Sequence, residues 1–133
     1  MKNARILVVD DNPTNLKLVS DLLAFEGHEV LNAMDAEEAQ IVLTRTLPDL
    51  ILMDIALPGM DGLTLTRHLK ADPRTRHIRI VALTAFAMKG DEQKALDAGC
   101  DGYITKPIDT RALPAEVAGI LAVAGSGSRR EAQ

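Results

Sequence analysis

The chain has 133 residues, 47% of them hydrophobic, and its 15 Lys and Arg residues against 19 Asp and Glu residues give a net charge of −4. A chain of this length is expected to form one compact domain, without a DNA-binding or catalytic output domain on the same polypeptide. Nucleic-acid binding and membrane insertion are not expected, because Lys and Arg form no clustered run, aromatic residues make up only 2%, and no apolar segment is long enough to span a bilayer.

The cysteine content and the N-terminal residues indicate the cellular compartment of the protein. Cys100 is the only cysteine, so one chain cannot form a disulfide or a cysteine-based metal site, which suits the reducing cytoplasm. The apolar run near the start, ILVV, is too short for the core of a signal peptide. We therefore expect a cytoplasmic protein.

Short apolar runs alternate along the chain with segments of helical periodicity. The runs predict strands at about residues 6–9, 29–33, 50–53, 80–84 and 103–105. The periodic segments predict helices over about residues 13–26, 36–43, 63–69, 90–98 and 110–123. Parallel strands connected by right-handed helical crossovers form a doubly wound α/β sheet, which is the predicted fold.

Local signals mark several helix ends. Asn12 followed by Pro13 is typical of a helix start, and the spacing of Asp35 and Glu38 resembles a capping box. Pro114 is placed poorly in the last helix if a residue near 109 caps it, so that helix is expected to start late or to kink.

Residues 124–133 are mostly small or polar and show no hydrophobic periodicity. The expected organisation is a folded domain over residues 1–123, followed by a disordered C-terminal tail over residues 124–133.

Polar side chains stand where the predicted strands end. Asp10 and Asp11 follow the first strand, Asp54 follows the third, Thr84 the fourth and Lys106 the fifth. Open parallel α/β sheets bind ligands beyond the carboxyl ends of their strands. If the strand order is 2-1-3-4-5, the three carboxylates meet at one edge, with a hydroxyl and an ammonium group facing them.

Three neighbouring carboxylates repel one another, so a cation is expected among them. Oxygen ligands suit Mg²⁺ or Mn²⁺, and Mg²⁺ usually completes its shell with water and phosphate oxygens. Asp54 is then the candidate nucleophile, because a carboxylate can attack phosphorus to form an aspartyl phosphate. The metal and Lys106 would offset charge on the transferring group, and Thr84 could donate a hydrogen bond to it.

Four segments, ILVVDDN, LILMDIALPGMDG, VALTAFA and GYITKPI, occur in this order and resemble the signature segments of two-component response-regulator receiver domains. The resemblance covers residues 4 to about 122. It implies a flavodoxin-like fold of five βα units, with a parallel five-stranded sheet in the order 2-1-3-4-5 and helices on both faces. The AFAMKGD segment and the length resemble stand-alone regulators of the DivK type, although the same segment is frequent in receivers fused to hybrid kinases.

The resemblance also implies roles for individual residues. Asp54 would be phosphorylated, in the presence of Mg²⁺ or Mn²⁺, by a sensor histidine kinase or a histidine phosphotransfer protein. Asp11, Asp54 and the backbone carbonyl of Ala56 would hold the metal. Asp10 would act largely through water, and the peptide bond before Pro107 would be cis.

In the family, phosphorylation draws a threonine inward and lets an aromatic residue rotate behind it; these residues correspond to Thr84 and Tyr103. Phe86, Met88 and Tyr103 would form part of a face that binds a downstream protein. Such a protein is a signalling receiver rather than an enzyme, although it assists its own phosphorylation and dephosphorylation. It is expected to be a monomer or a weak, phosphorylation-dependent dimer.

Other function classes fit the residues less well. A flavodoxin-like cofactor binder needs a phosphate loop after the first strand, where this chain has the acidic segment DDNPTN. An aspartate-nucleophile phosphatase needs a DxD segment and a cap insertion, and this chain has neither. The presence of Asp54, Thr84 and Lys106 argues against a module that acts without phosphorylation. A relay shuttle, an allosteric partner of a kinase and a phosphoryl sink stay open as alternatives.

Overall fold

The computed structural model describes residues 4–55, 57, 59–84, 91–105 and 108–127, and only the backbone of residues 84, 91, 92 and 123–127. The strands are β1 (Arg5–Val9), β2 (Glu29–Ala33), β3 (Leu50–Asp54), β4 (Arg79–Thr84) and β5 (Gly102–Thr105). The helices are α1 (Pro13–Phe25), α2 (Ala36–Arg45), α3 (Gly62–Ala71), α4 (Asp91–Ala98) and α5 (Leu113–Gly127). The strict alternation of strands and helices confirms the predicted α/β pattern.

The five strands form one sheet in the order β2-β1-β3-β4-β5, as predicted. Every pairing is parallel; Leu7 of β1, for example, is in register with Leu31 of β2 and with Ile51 of β3. The carboxyl ends of all five strands therefore lie along the same edge of the sheet. This edge carries the polar residues that the sequence places after the strands.

The core consists of two layers, one on each face of the sheet. Leu7 and Leu65 belong to the layer under α2, α3 and α4, whereas Val8, Leu23 and Val117 belong to the layer under α1 and α5. Leu7 and Val8 are consecutive residues on opposite faces, and both are fully buried. Burial on both faces explains why β1 reads as a continuous apolar run instead of an alternating pattern.

The predicted helix starts are observed at α1 and α2. The Asn12 side chain accepts hydrogen bonds from two amides of the first turn at 2.9 and 3.1 Å, with Pro13 at the first helical position. At α2, the Asp35 carboxylate accepts from the amide of Glu38 at 2.8 Å. The Glu38 carboxylate accepts from the amide of Met34, one residue before the cap, whereas a capping box would use the amide of Asp35 itself.

The late start predicted for the last helix is confirmed. The Asp109 carboxylate accepts from two amides of the following turn at 3.0 and 3.3 Å, and α5 begins only at Leu113. Pro114 therefore lies in the first helical turn, where its missing amide leaves no intrahelical bond unmade.

The end of α5 differs from the prediction. The helix continues to Gly127 instead of ending near residue 123, so residues 124–127 of the predicted tail are helical. Ala124 is a good helix former, and because helical hydrogen bonds are made by the main chain, the glycines that follow can still extend an existing helix by one turn. The rest of the predicted tail, residues 128–133, lies outside the described residues.

No helix in the described part of the chain is long and apolar enough to cross a membrane.

The first residue of α3 packs directly against the main chain at the end of β3. A methyl group on Gly62 would lie 2.4 Å from the carbonyl oxygen of Asp54 and 2.8 Å from Cα of Ile55. The amide of Gly62 also donates to the Ile55 carbonyl at 3.2 Å. Only a hydrogen atom fits at this position, so Gly62 allows α3 to fix the position of the Asp54 backbone.

Cys100 lies between α4 and β5 and is only 6% exposed. Its Sγ atom lies 3.9 Å from Oγ1 of Thr66 on α3. Burial raises the pKa of the Cys100 thiol, because the thiolate would lose its hydration.

We expect the Gly62→Ala substitution to lower the free energy of unfolding by about 1–3 kcal/mol, since the new methyl group overlaps main-chain atoms that cannot move away cheaply. Gly119→Ala is the matched control: Gly119 lies inside α5, and a methyl group there would meet no atom of a neighbouring element within 4 Å. That variant should gain about 0.5–1 kcal/mol from the better helix propensity of Ala. Urea denaturation measures the free energy of unfolding of both variants. Equal changes in that free energy would contradict the close contact at Gly62.

The raised pKa of Cys100 predicts a pH dependence of stability. The unfolded chain releases the thiol proton at a lower pH than the folded protein does, so ionisation favours the unfolded state as the pH rises. Between about pH 8 and pH 10, the free energy of unfolding should therefore fall more steeply in the wild type than in Cys100→Ala. Urea denaturation at several pH values gives the two slopes, and parallel slopes would show that the thiol titrates as an exposed group does.

Candidate metal centre

Three carboxylates meet at the carboxyl edge, where β1 and β3 lie side by side. Asp10 and Asp11 follow β1, and Asp54 is the last residue of β3. Each contributes one carboxylate oxygen to a group in which all three oxygens lie within 4.8 Å of one another. Asp10 is 1% and Asp54 4% exposed, whereas Asp11 is exposed. The structure thus brings together the three acidic residues that the strand order predicts.

Backbone hydrogen bonds hold Asp10 in place. Its amide donates to the carbonyl of Ala33 at 3.1 Å, which ties the end of β1 to the end of β2. Its Oδ1 atom accepts from the amide of Asn12 at 2.9 Å, and Asn12 in turn caps α1. The start of α1 therefore orients the Asp10 carboxylate, and Asp11 lies between these two fixed residues.

Asp54 is held through the main chain on both sides of the strand end. It is in register with Leu83 of β4, and the amide of the next residue, Ile55, donates to the Leu83 carbonyl at 3.1 Å. On the side of α3, the contact of Gly62 with the Asp54 carbonyl restricts movement of the strand end. The Asp54 backbone is therefore fixed independently of any ligand, which lowers the cost of presenting its carboxylate to one.

The donor set suits a hard divalent cation. Carboxylate oxygens are the ligands that Mg²⁺ and Mn²⁺ take in proteins, and a cation relieves the repulsion among three negative charges. Two of the three groups are nearly buried, which reduces screening of that repulsion by solvent. Asp10, Asp11 and Asp54 could together hold such an ion.

The other predicted site residues lie on neighbouring strands or outside the described part of the chain. Thr84 ends β4 in register with Thr105, and only its backbone is described. Tyr103 is in register with Ala82, is partly buried, and packs against the core layer under α2, α3 and α4. The predicted residues outside the described ones are Ala56, Phe86, Met88, Lys106 and Pro107.

Sequence analysis missed Gly62, although it fixes the backbone that carries Asp54. The available signal was a glycine directly after the capping residue Asp61, whose carboxylate accepts from the amide of Thr64 at 2.8 Å. Glycine is a poor helix former, so its presence at the first helical position indicates a close contact more than a local preference.

The family model of the response regulator receiver domain matches residues 6–118. Among curated proteins, the response regulator PleD of Caulobacter vibrioides is 48% identical over 115 residues, which are 86% of this chain and 25% of PleD. The chain therefore spans about a quarter of the length of PleD. The polar-differentiation response regulator DivK of Brucella anthropi is 47% identical over 103 residues, which are 77% of this chain and 84% of DivK.

Solved structures show the same similarity. A CheY-like receiver domain protein from Methanospirillum hungatei superposes with a TM-score of 0.85 at 31% identity, covering 93% of this chain and 98% of that one. The receiver domain of the sensor histidine kinase PA1611 from Pseudomonas aeruginosa has a magnesium ion coordinated in its active-site cleft. It superposes with a TM-score of 0.82 at 34% identity, covering 91% of this chain and 99% of that one. The chain belongs to the receiver domain family of two-component response regulators.

Proposed function

We propose that this chain is a phospho-acceptor in a two-component or phosphorelay pathway. In this proposal, Asp54 accepts a phosphoryl group from a sensor histidine kinase or a histidine phosphotransfer protein in a reaction that requires Mg²⁺. The observation that carries the proposal is the meeting of Asp10, Asp11 and Asp54 within 4.8 Å at the carboxyl edge of the sheet. Similarity to a receiver whose structure contains magnesium in the active-site cleft supports the choice of ion.

The metal would be held by Asp11, Asp54 and the backbone carbonyl of Ala56, with Asp10 acting largely through water. When bound, Mg²⁺ supplies positive charge that offsets the charge of the transferring phosphoryl group. The role of Asp10 as an outer ligand is supported by its burial and by its hydrogen bond from the Asn12 amide, which hold its carboxylate in one orientation. Ala56 is included by resemblance alone.

The reaction is a phosphoryl transfer to a carboxylate. An oxygen of Asp54 attacks the phosphorus of a phosphohistidine, the new P–O bond forms as the P–N bond breaks, and the departing imidazole keeps the electron pair and takes a proton from water. The fixed backbone of Asp54 supports this role, because an acceptor that is already oriented loses little freedom on reaction. Lys106 and Thr84 would neutralise and hydrogen-bond the transferred group.

The response to phosphorylation would pass through Thr84 and Tyr103 to the face formed by α4, β5 and α5. Tyr103 supports this role, since it is only partly buried and lies on β5 next to the strand that ends at Thr84. A partly buried aromatic side chain can change position at a lower cost than one that is fully packed. Phe86, Met88 and Tyr103 would then contribute to the surface read by a downstream protein.

Similarity to DivK, a polar-differentiation response regulator, supports a place in a signalling pathway of that kind. The cognate kinase and the target would be proteins that distinguish the phosphorylated state from the unphosphorylated one. Phosphorylation-dependent dimerisation would use the same face.

Phosphorylation is tested by intact mass after incubation with Mg²⁺ and acetyl phosphate. We expect the wild type to gain the mass of one phosphoryl group, and Asp54→Asn to gain none, because an amide is not a nucleophile for this reaction. Asp21→Asn is the matched control: Asp21 is an exposed residue of α1 paired with Lys17 at 2.9 Å, and its loss should leave the adduct intact. An adduct on Asp54→Asn, or none on the wild type with either acetyl phosphate or phosphorylated kinases, would overturn the proposal.

Metal binding is tested by paramagnetic broadening of amide NMR signals with Mn²⁺. The signals of residues 10–12 and 54–55 should broaden first, and EDTA should restore them. Removing one charged ligand at contact distance should weaken binding about tenfold or more, so Asp11→Asn should need correspondingly more Mn²⁺. Asp97→Asn, an exposed residue of α4, removes the same charge at another place and should bind as the wild type does. Equal weakening in both variants would point to nonspecific attraction by net charge.

A further inference from the structure

A second charged region lies at the opposite edge of the sheet from the three carboxylates. The segment 67–79, RHLKADPRTRHIR, contains five Lys and Arg residues and one acidic residue, while the whole chain has a net charge of −4, so the remaining residues carry −8. It runs from the second half of α3 to the first residue of β4, at the amino edge of the sheet. The segment therefore has a net charge of +4 in a chain that is acidic as a whole, although ten of the 15 Lys and Arg residues lie elsewhere.

Internal hydrogen bonds hold the backbone of this segment in one conformation. The Asp72 carboxylate accepts from the amide of Arg74 at 2.9 Å, and the Asp72 carbonyl accepts from the amides of Thr75 and Arg76 at 3.0 and 2.8 Å. Thr75 is 1% exposed, and its hydroxyl donates to the Leu69 carbonyl at 2.7 Å. The turn is thus a fixed extension of α3, and binding to it would cost little ordering entropy.

Lys70 fastens the same turn to the sheet. Its Nζ atom donates to the carbonyls of Arg76 and Ile78 at 3.2 and 2.8 Å, and to the Asp101 carboxylate at 3.0 Å. The ammonium group of Lys70 is therefore bonded within the molecule and is not among the groups that could bind a partner. The positive charges that are exposed in the turn itself are those of Arg74 and Arg76.

The end of α2 adds another arginine beside the turn. The Arg74 guanidinium donates to the carbonyl of Leu43 in the last part of α2, and the exposed Arg45 follows two residues later as the last residue of that helix. Because a carbonyl is neutral, Arg74 keeps its full positive charge. Arg76 and His77 are exposed in the turn itself. Arg45, Arg74, Arg76 and His77 together are called the basic surface.

We propose that the basic surface docks a short segment of a partner protein rich in Asp and Glu, at a site separate from the phospho-acceptor. Guanidinium groups bind carboxylates through two parallel hydrogen bonds, and three arginines on a fixed backbone present several such donors. The proposal goes beyond phosphoryl transfer, because the basic surface lies at the far edge of the sheet and can be occupied in either phosphorylation state.

The surroundings of the basic surface favour a short acidic peptide over a nucleic acid or a membrane. Segment 67–79 contains no Phe, Tyr or Trp on which a base could stack. Asp49 lies at the same edge, where its carbonyl accepts from the Arg79 amide at 3.4 Å, and Asp72 lies within the turn. A duplex or a bilayer would extend beyond the arginines and meet these carboxylates and the negative charge of the rest of the chain, whereas a peptide of a few residues would not.

The test uses a fluorescein-labelled peptide of four glutamates and fluorescence anisotropy at about 0.05 M salt, where surface charges are weakly screened. EDTA is present so that no metal at the carboxylates can bridge to the peptide. Arg45→Glu/Arg76→Glu should bind at least tenfold more weakly than the wild type. Lys94→Glu/Arg111→Glu makes the same change in net charge at two exposed positions outside the basic surface. Its affinity for the peptide should stay within twofold of that of the wild type.

Further measurements separate the proposal from its competitors. Asp54→Asn should bind the peptide as the wild type does, and thermal melting should show that both double variants are folded. The proposal is overturned if the wild type shows no saturable binding, or if both double variants lose affinity equally. It is also overturned if a single-stranded oligonucleotide or vesicles of anionic lipid bind this surface more tightly than the peptide, or if light scattering shows that a second copy of the chain occupies it.

Discussion

β1 and β3 are buried over almost their whole length, and this burial is the constraint on which the rest of the molecule depends. A strand whose two faces are both apolar must be covered by helices on both sides, so the connections have to cross over the sheet and the strands have to run parallel. Parallel strands end at a common edge, and helices that return between them begin at that edge. The acidic cluster exists because Asp10 directly follows β1 and Asp54 is the last residue of β3, and these two strands are neighbours.

Much of the fold could be predicted because its signals lie in residues that are close together in the sequence. The apolar runs, the capping residue Asn12 and the position of Pro114 each depend on neighbouring residues in the sequence, and each is found as expected. The meeting of the three carboxylates needed one further step, the order of strands. That order follows from the fold class and from resemblance, since no single residue indicates which strands become neighbours.

The features that escaped prediction depend on tertiary distances. The contact of Gly62 with the Asp54 carbonyl is a property of how α3 approaches β3, and a glycine after a capping residue can indicate a close contact without showing which atoms it meets. The bond from Glu38 to the amide of Met34 depends on the path of the chain before α2. The helical end of α5 shows that weak local propensity is overridden when a preceding helix is already formed. The roles of Ala56, Phe86, Met88, Lys106 and Pro107 rest on resemblance.

The absence of space at Gly62 also limits how the end of β3 can move. Since the first turn of α3 touches the main chain of Asp54, neither can approach the other. On the other side, the bond from the Ile55 amide to the Leu83 carbonyl ties the same strand end to β4, so the main chain at Asp54 is held from both directions. The main chain at Asp54 thus has little freedom to shift, and a change that begins at its carboxylate falls first on side chains.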